Sequence, residues 1–224
     1  MNATPSEQQQ RSILAAFDFD GTLTYHDSFV PFLRFAFGDL LFARRIVRLA
    51  PASVAYLCGR ITRNDLKARL IHTFLKGVQV AWVSERAEAY CDATWEKLMR
   101  AEGLLSVADQ LRQEATVTIC SASPALVLAP FAKRLGVRLI GTELQSRDGV
   151  LTGEIAGINC RCEQKVLRLE AQYGPLEHYT LRAWGDTLGD EQMLAAAQEA
   201  NWRAFHDVRR RKLPLSMQMR KSGE

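Results

Sequence analysis

Several features that would fix the class of this protein at once are missing from its 224 residues. No stretch is both long and apolar enough to span a bilayer, so a membrane-spanning chain is not expected. The first residues, 1–11, are rich in Gln, Ser and Thr without an apolar centre, which excludes a signal peptide there and reads as a disordered N-terminus. Five cysteines, Cys58, Cys91, Cys120, Cys160 and Cys162, are an odd number in a mid-sized chain. They point to free thiols in a reducing, cytoplasmic compartment rather than to a disulfide framework. Cys160-x-Cys162 lacks a second Cys/His pair nearby, which argues against a soft-metal site. The four histidines, His26, His72, His178 and His206, stand at no ligand spacing and read as surface or core residues. Charge bias is also scarce. The net charge is +4, and from Arg203 to Glu224 seven Lys/Arg face two acids, so the surplus lies in the tail. No specific nucleic-acid partner is expected. Residues 208–224, with Arg209 to Lys212, read as a basic flexible tail, solvated or touching an anionic surface.

What is present begins with Ile13-Leu14-Ala15-Ala16-Phe17, apolar on both faces as a central parallel strand is, followed at once by Asp18-Phe19-Asp20-Gly21-Thr22. Gly21 permits a sharp turn, which places Asp18 and Asp20 just past the carboxyl end of the strand, where open α/β sheets bind ligands. Two such carboxylates raise each other's proton affinity unless a cation lies between them. They make a hard-metal site or an acid/base couple.

For some eighty residues the pattern then turns helical, over Ser28–Phe37, Leu40–Gly59, Asn64–Lys76 and Trp82–Glu102, with Gly38, Gly59, Gly77 and Gly103 as stops. Asn64 suits an N-cap, and Pro51 is expected to kink or divide the second segment. From Ser28 to Gly77 nine Lys/Arg oppose two acids. The segment Leu40–Leu49 is amphipathic and basic, and either packs its apolar face on neighbouring helices or lies on an anionic membrane surface.

Strand patterning returns at Thr116–Cys120, followed by Ser121-Ala122-Ser123-Pro124. Pro124 suits the first position of a helix running to Leu135 and Ser123 its N-cap, so free amides would meet an anion at that junction. Val137–Ile140 reads as a strand, and Glu143–Ile155 as a hairpin turning at Asp148-Gly149. A helix opening near Lys165 runs to Tyr173, and the strand Tyr179–Trp184 ends in Gly185-Asp186-Thr187-Leu188-Gly189-Asp190. Helix Glu191–Ala200 and a last strand over Trp202–Phe205 complete the expectation.

Taken in order, D-F-D-G-T-L-T, Ser121, Lys165 and G-D-x-x-x-D resemble the four motifs of the haloacid dehalogenase (HAD) superfamily, most of whose members are phosphohydrolases. The resemblance implies an α/β fold: a Rossmann-like core with a parallel sheet flanked by helices, and a helical-bundle cap inserted after the first motif. The core would take 12–26 and 104–207, and the cap 27–103. It implies that Asp18 attacks phosphorus, that Asp20 serves as acid and then base, and that Asp18, Asp20 and Asp186 hold Mg²⁺. Ser121, the Ala122 amide, Thr22 and Lys165 would hold the phosphoryl group, with Asp190 steadying the loop. True dehalogenases usually lack the second acid, so Asp20 argues against dehalogenation, and retention of all these residues argues against a catalytically idle binding module.

Two substrate classes stay open. Cys160-x4-Lys165-Val166 resembles the pattern of phosphatidylglycerophosphatase-like members and, with the basic cap, suggests an anionic lipid phosphate and peripheral contact with the inner face of an anionic membrane. Asp27 falls where phosphoserine phosphatases usually place an acid that meets the substrate amine, which suggests a small amino-phosphate such as phosphoserine or histidinol phosphate. It would equally cap the first insert helix. Gly189 stands where those phosphatases usually carry Asn, which weakens transfer of their specificity.

Overall fold

The computed structural model describes residues 11–206; the expected disordered start and the basic tail lie outside the described residues, apart from Arg11. Five parallel strands form the sheet in the order β3-β2-β1-β6-β7: β1 (Ser12–Phe17), β2 (Thr116–Pro124), β3 (Arg138–Thr142), β6 (Tyr179–Gly185) and β7 (Glu199–Trp202). The chain builds outward from β1 on one side through β2 and β3, then returns to the other side of β1 as β6 and β7. That reversal opens a crevice at the carboxyl end of β1.

β1 is buried on both faces, which is why it reads as a continuous apolar run. Its alternation still sorts the core. Ala15 and Phe17 join Val117, Ile119 and Trp184 on one face, under α5 (Ala101–Arg112) and α6 (Ala125–Leu135), with α4 (Val80–Leu98) packed on α6. Leu14 and Ala16 join Leu181 and Ala183 on the other, under α7 (Glu163–Tyr173) and α8 (Glu191–Ala196). Phe17 stacks on Trp184 with centroids 4.0 Å apart, and the Asp18 amide donates to the Trp184 carbonyl at 2.9 Å. The first acid is thereby fixed at the carboxyl end of the central strand by both backbone and side-chain packing.

Between β1 and β2 the chain leaves the sheet as α1 (Phe29–Phe37), α2 (Asp39–Leu57), α3 (Arg63–Leu75) and α4. Phe32 meets Tyr90 of α4 edge-on at 5.7 Å, and Phe37 packs against Phe74 and Trp82. The hairpin of β4 (Leu144–Arg147) and β5 (Val150–Ile155) closes on α3. Gly153 makes this possible: a Cβ there would stand 2.8 Å from the Lys76 Cβ. The two ends of the insert pair with each other, the Tyr25 amide on the Leu98 carbonyl and the Arg100 amide on the Leu23 carbonyl, each at 2.9 Å. Among the described residues no helix is long and apolar enough to cross a membrane.

Several boundaries differ from expectation for physical reasons. The helix expected over Trp82–Glu102 breaks at Met99, whose extended backbone bridges Thr24, and α5 begins anew at Ala101. Gly103 is inside α5, pressed against Leu23, rather than at a helix stop. Pro51 does not divide α2. Thr62, not Asn64, caps α3, through a reciprocal box with Asp65. β2 continues to Pro124, so Ser123 is extended and caps nothing. Helix α8 stops at Ala196, and the last strand comes earlier than expected, at Glu199–Trp202.

Candidate functional site

A cavity of about 350 Å³ opens at the carboxyl ends of the strands, with the helical insert as its other wall. On the sheet side it is lined by Asp18, Asp20, Ser121, Ala122, Lys165 and Asp190, which the fold draws together from four separated stretches of sequence.

Lys165 organises the group. It is 1% exposed, and its Nζ stands 2.5 Å from both Asp18 Oδ1 and Asp190 Oδ1. Burial works against the ammonium, but these two carboxylates hold it charged, well above the ordinary lysine range. One positive charge is shared between two acids, so Asp18 remains pushed up, by burial first and by Asp190 second. Asp190 has both oxygens engaged: Oδ1 by Lys165, and Oδ2 by the Thr187 amide at 3.0 Å and the Thr187 hydroxyl at 2.9 Å. Burial opposes its charge too, yet Lys165 and Thr187 keep it below the usual carboxylate value.

Asp186 lies beside this group but does not line the cavity. The Thr22 hydroxyl donates to Asp186 Oδ1 at 3.2 Å, so Thr22 stands behind the acids, also off the cavity wall. One ligand atom from each of Asp18, Asp186 and Asp190 lies within 4.8 Å of the others. Burial and Asp190 raise the Asp186 carboxyl as well. Gly21, at φ 83°, lets the turn pass so close that a Cβ would stand 2.5 Å from Asp186 Oδ2.

Asp20 points toward the insert. Its Oδ1 accepts from the Ser28 amide at 2.7 Å and its Oδ2 from the Ser123 hydroxyl. Burial, then the nearby Asp27, pushes its carboxyl up to about 6. Asp27 lines the cavity and accepts from the Val30 amide at 3.0 Å, so the same side chain caps α1 and faces the pocket. The Ser121 hydroxyl accepts from the Ser123 amide at 3.1 Å, within the end of β2.

Four contributors escaped the sequence reading. Ser123, read as a cap, holds Asp20. His206, read as surface or core, places Nε2 2.8 Å from the Gly21 carbonyl and 3.8 Å from Asp186 Oδ2. Lys67 crosses from α3 to the Ala122 carbonyl and to Asn159 Oδ1, the latter at 2.6 Å, and burial lowers its amine to about 8. Asn159 also donates to Asn64 at 2.8 Å. A repeated serine at the end of β2 was a legible signal; a helix lysine and a loop asparagine carry none until the chain has folded.

A doubly wound parallel sheet, an acid-rich turn after its first strand and a buried lysine bridging the first and last acids define the class. Residues 15–195 match the haloacid dehalogenase-like hydrolase family, and the chain belongs to it. Protein CicA of Caulobacter vibrioides is 42% identical over 201 residues, 89% of this chain and 89% of that one. A Bordetella pertussis Tohama I protein of unknown function has a similar structure, at a TM-score of 0.70 and 24% identity, covering 84% of this chain and 87% of the other. A phosphoserine phosphatase, solved as an analogue of its phospho-aspartyl intermediate, aligns at a TM-score of 0.54 and 18% identity over 84% of each chain. At such identities the two structures share a fold with this chain.

Proposed function

We propose that this hydrolase cleaves phosphomonoesters, with Asp18 as nucleophile and 27–103 acting as a cap over the site. The observation that carries the reading is the Lys165 bridge: a buried ammonium held against Asp18 in the wall of a cavity that Ser121 and Ser123, at the end of β2, also line. Phosphoryl transfer needs such an array, an in-line nucleophile with positive charge and donors around the equatorial oxygens.

Asp18 would attack phosphorus, breaking the ester P–O bond and leaving an aspartyl-phosphate. Asp20, whose raised proton affinity keeps a useful acid form, would protonate the departing alkoxide. It would then take a proton from water, whose oxygen attacks the same phosphorus and releases Asp18 and inorganic phosphate. Ser28 and Ser123 hold Asp20 in line for both transfers. Lys165 and Ser121 would meet the phosphoryl oxygens.

The acid cluster fits a hard divalent cation. Three buried carboxylates lie within 4.8 Å while two of them share one ammonium; burial first, and Asp190 second, raises the proton affinities of Asp18 and Asp186. Asp190 has both oxygens committed, which leaves Asp18 and Asp186 as side-chain holders, and the family resemblance adds the Asp20 backbone carbonyl. Mg²⁺ held there would neutralise charge developing on the phosphoryl oxygens.

The insert wall of the cavity favours an anionic lipid phosphate as substrate. Phe29, Ile46, Leu49 and Leu70 line it, with Arg63 and Lys67 beside them. Asp27, on the same wall, supports the second reading, a small amino-phosphate whose ammonium it would meet. Free thiols at all five cysteines accord with action in the cytoplasm.

The test is phosphate release from a panel of lipid, amino-acid and nucleotide monophosphates, with Mg²⁺ or EDTA, for wild type and Asp18→Asn. Release that requires both the metal and Asp18 is expected, with a lipid phosphate preferred. Preference for phosphoserine or histidinol phosphate would move the assignment to the second reading. Release that survives Asp18→Asn would refute the nucleophile.

A further inference from the structure

An amphipathic helix packed on a globular protein normally buries its apolar stripe. Helix α2 does otherwise. Of its nineteen residues only Leu49 and Ala52 are buried. Leu40, Val47, Val54 and Leu57 are 86%, 71%, 58% and 82% exposed, far beyond what the core would leave to solvent. Their spacing of seven, seven and three residues sets them on one side of the helix, with the exposed Ala43, Ala50 and Pro51 between them. The inward side carries Leu49 and Ser53 into the catalytic cavity, and Ile46, 36% exposed, reaches it from the border between that side and the stripe.

Charge around the stripe has one sign. From Leu40 to Asn64 the chain holds five arginines and no acid. Arg45 turns inward, over the Phe37 ring at 4.5 Å and donating to the Phe74 carbonyl at 2.9 Å. Arg44 and Arg48 stay exposed along the stripe, and Arg60 beyond its end. Asp39, at the helix start, is engaged by Arg34.

We infer that the outer face of α2 docks on the surface of an anionic lipid bilayer, with Leu40, Val47, Val54 and Leu57 entering the headgroup boundary and Arg44 and Arg48 meeting lipid phosphates. Burial of an apolar helix face combined with attraction of flanking arginines to anionic headgroups is the physics of interfacial helices. The charge pattern selects this occupant over a second copy of the chain. A two-fold pairing through α2 would bring the arginines of the two copies together with no acid between Leu40 and Asn64 to answer them, whereas an anionic surface answers all of them. One helix thus serves as cavity wall and as membrane face. Only the supply of a lipid substrate rests on the phosphatase reading; the docking does not.

The test uses the full chain, sedimented with phosphatidylcholine vesicles and with mixed phosphatidylcholine–phosphatidylglycerol vesicles at low and high salt. Binding to the mixed vesicles alone, weakening with salt, is expected. Val47→Glu/Leu57→Glu should reduce it by roughly tenfold or more, since two apolar anchors become like-charged with the lipid. Neither residue lines the cavity, so hydrolysis of soluble p-nitrophenyl phosphate by this variant should match wild type. No binding to mixed vesicles overturns the inference. So does binding unchanged in the variant, which would assign it to charges elsewhere, such as Arg209–Lys212. Self-association of wild type that the same substitutions abolish, without vesicle binding, would give the face to a second copy and overturn it as well. Vesicle binding without hydrolysis of any ester would sink the phosphatase reading and leave the docking face standing.

Discussion

Replacing Lys165 with Met keeps the length and apolar bulk of the side chain while removing the ammonium from between Asp18 and Asp190. Both pairs are buried, at 2.5 Å, with the three side chains between 1% and 9% exposed. Deleting one partner of a buried ion pair costs about 3–5 kcal/mol, because the remaining charge has neither water nor a counter-ion. Here two carboxylates are left facing each other, so a value at the upper end is expected in metal-free buffer. For a chain of this size, roughly 2–4 °C of melting temperature go with each kcal/mol, which gives a loss of roughly 10–20 °C. The acids have one escape, proton uptake. In the variant the folded pair holds a proton at pH values where the unfolded chain has lost it, so the variant regains stability as pH falls. The gap from wild type should therefore be widest near about pH 7.5 and narrow by about pH 5. Thermal unfolding followed by circular dichroism in EDTA at both pH values measures this. Lys165→Met/Asp190→Asn should recover part of the loss, since an amide removes the repulsion. Equal melting temperatures at neutral pH, or a gap that does not narrow on acidification, would show that the ammonium is not what balances these acids.

Gly21→Ala should lower stability by about 1–2 kcal/mol, the cost of a side chain in the left-handed region. It should also raise the Mg²⁺ concentration needed for phosphate release, because the new methyl must displace Asp186 from 2.5 Å; unchanged melting and an unchanged Mg²⁺ titration would refute the close approach. Lys67 has a folded pKa of about 8 against an ordinary 10.5, so between those values the unfolded chain binds the extra proton and stability attributable to Lys67 rises with pH. Relative to Lys67→Met, wild type should gain up to about 3 kcal/mol between neutral pH and about pH 10. A stability difference that is flat across this range in urea titrations would refute the burial of a charged amine there.

Much of the candidate site was legible because its chemistry sits at strand ends. An apolar run halted by Asp18 and Asp20, a β-branched strand opening into Ser121, and a strand closing on Asp186 and Asp190 each mark a place where a sheet meets solvent. The sheet core was legible for the same reason: a strand buried on both faces needs apolar residues at nearly every position. Helix termini were less so. Asn64 and Ser123 both look like caps, but Asn64 is drawn to Asn159 and Ser123 to Asp20, contacts whose worth depends on residues far away in the chain. Met99 lies within a helical pattern and is extended only because Thr24 pairs with it across the neck of the insert.

By itself the sequence determined the residue types at the carboxyl edge of the sheet and the order in which they arrive, since local apolar period and turn chemistry are properties of neighbours in the chain. Tertiary structure decided which charges share a site. Apart from its resemblance to a motif lysine, Lys165 is a helix lysine like any other until α7 packs on the sheet and buries it against Asp18, 147 residues away. Lys67 and His206 reach the site only because α3 and the end of β7 are carried to it. The outward turn of α2 was decided the same way: period locates an apolar stripe, but which side of a helix meets its neighbours is fixed by the packing of everything else.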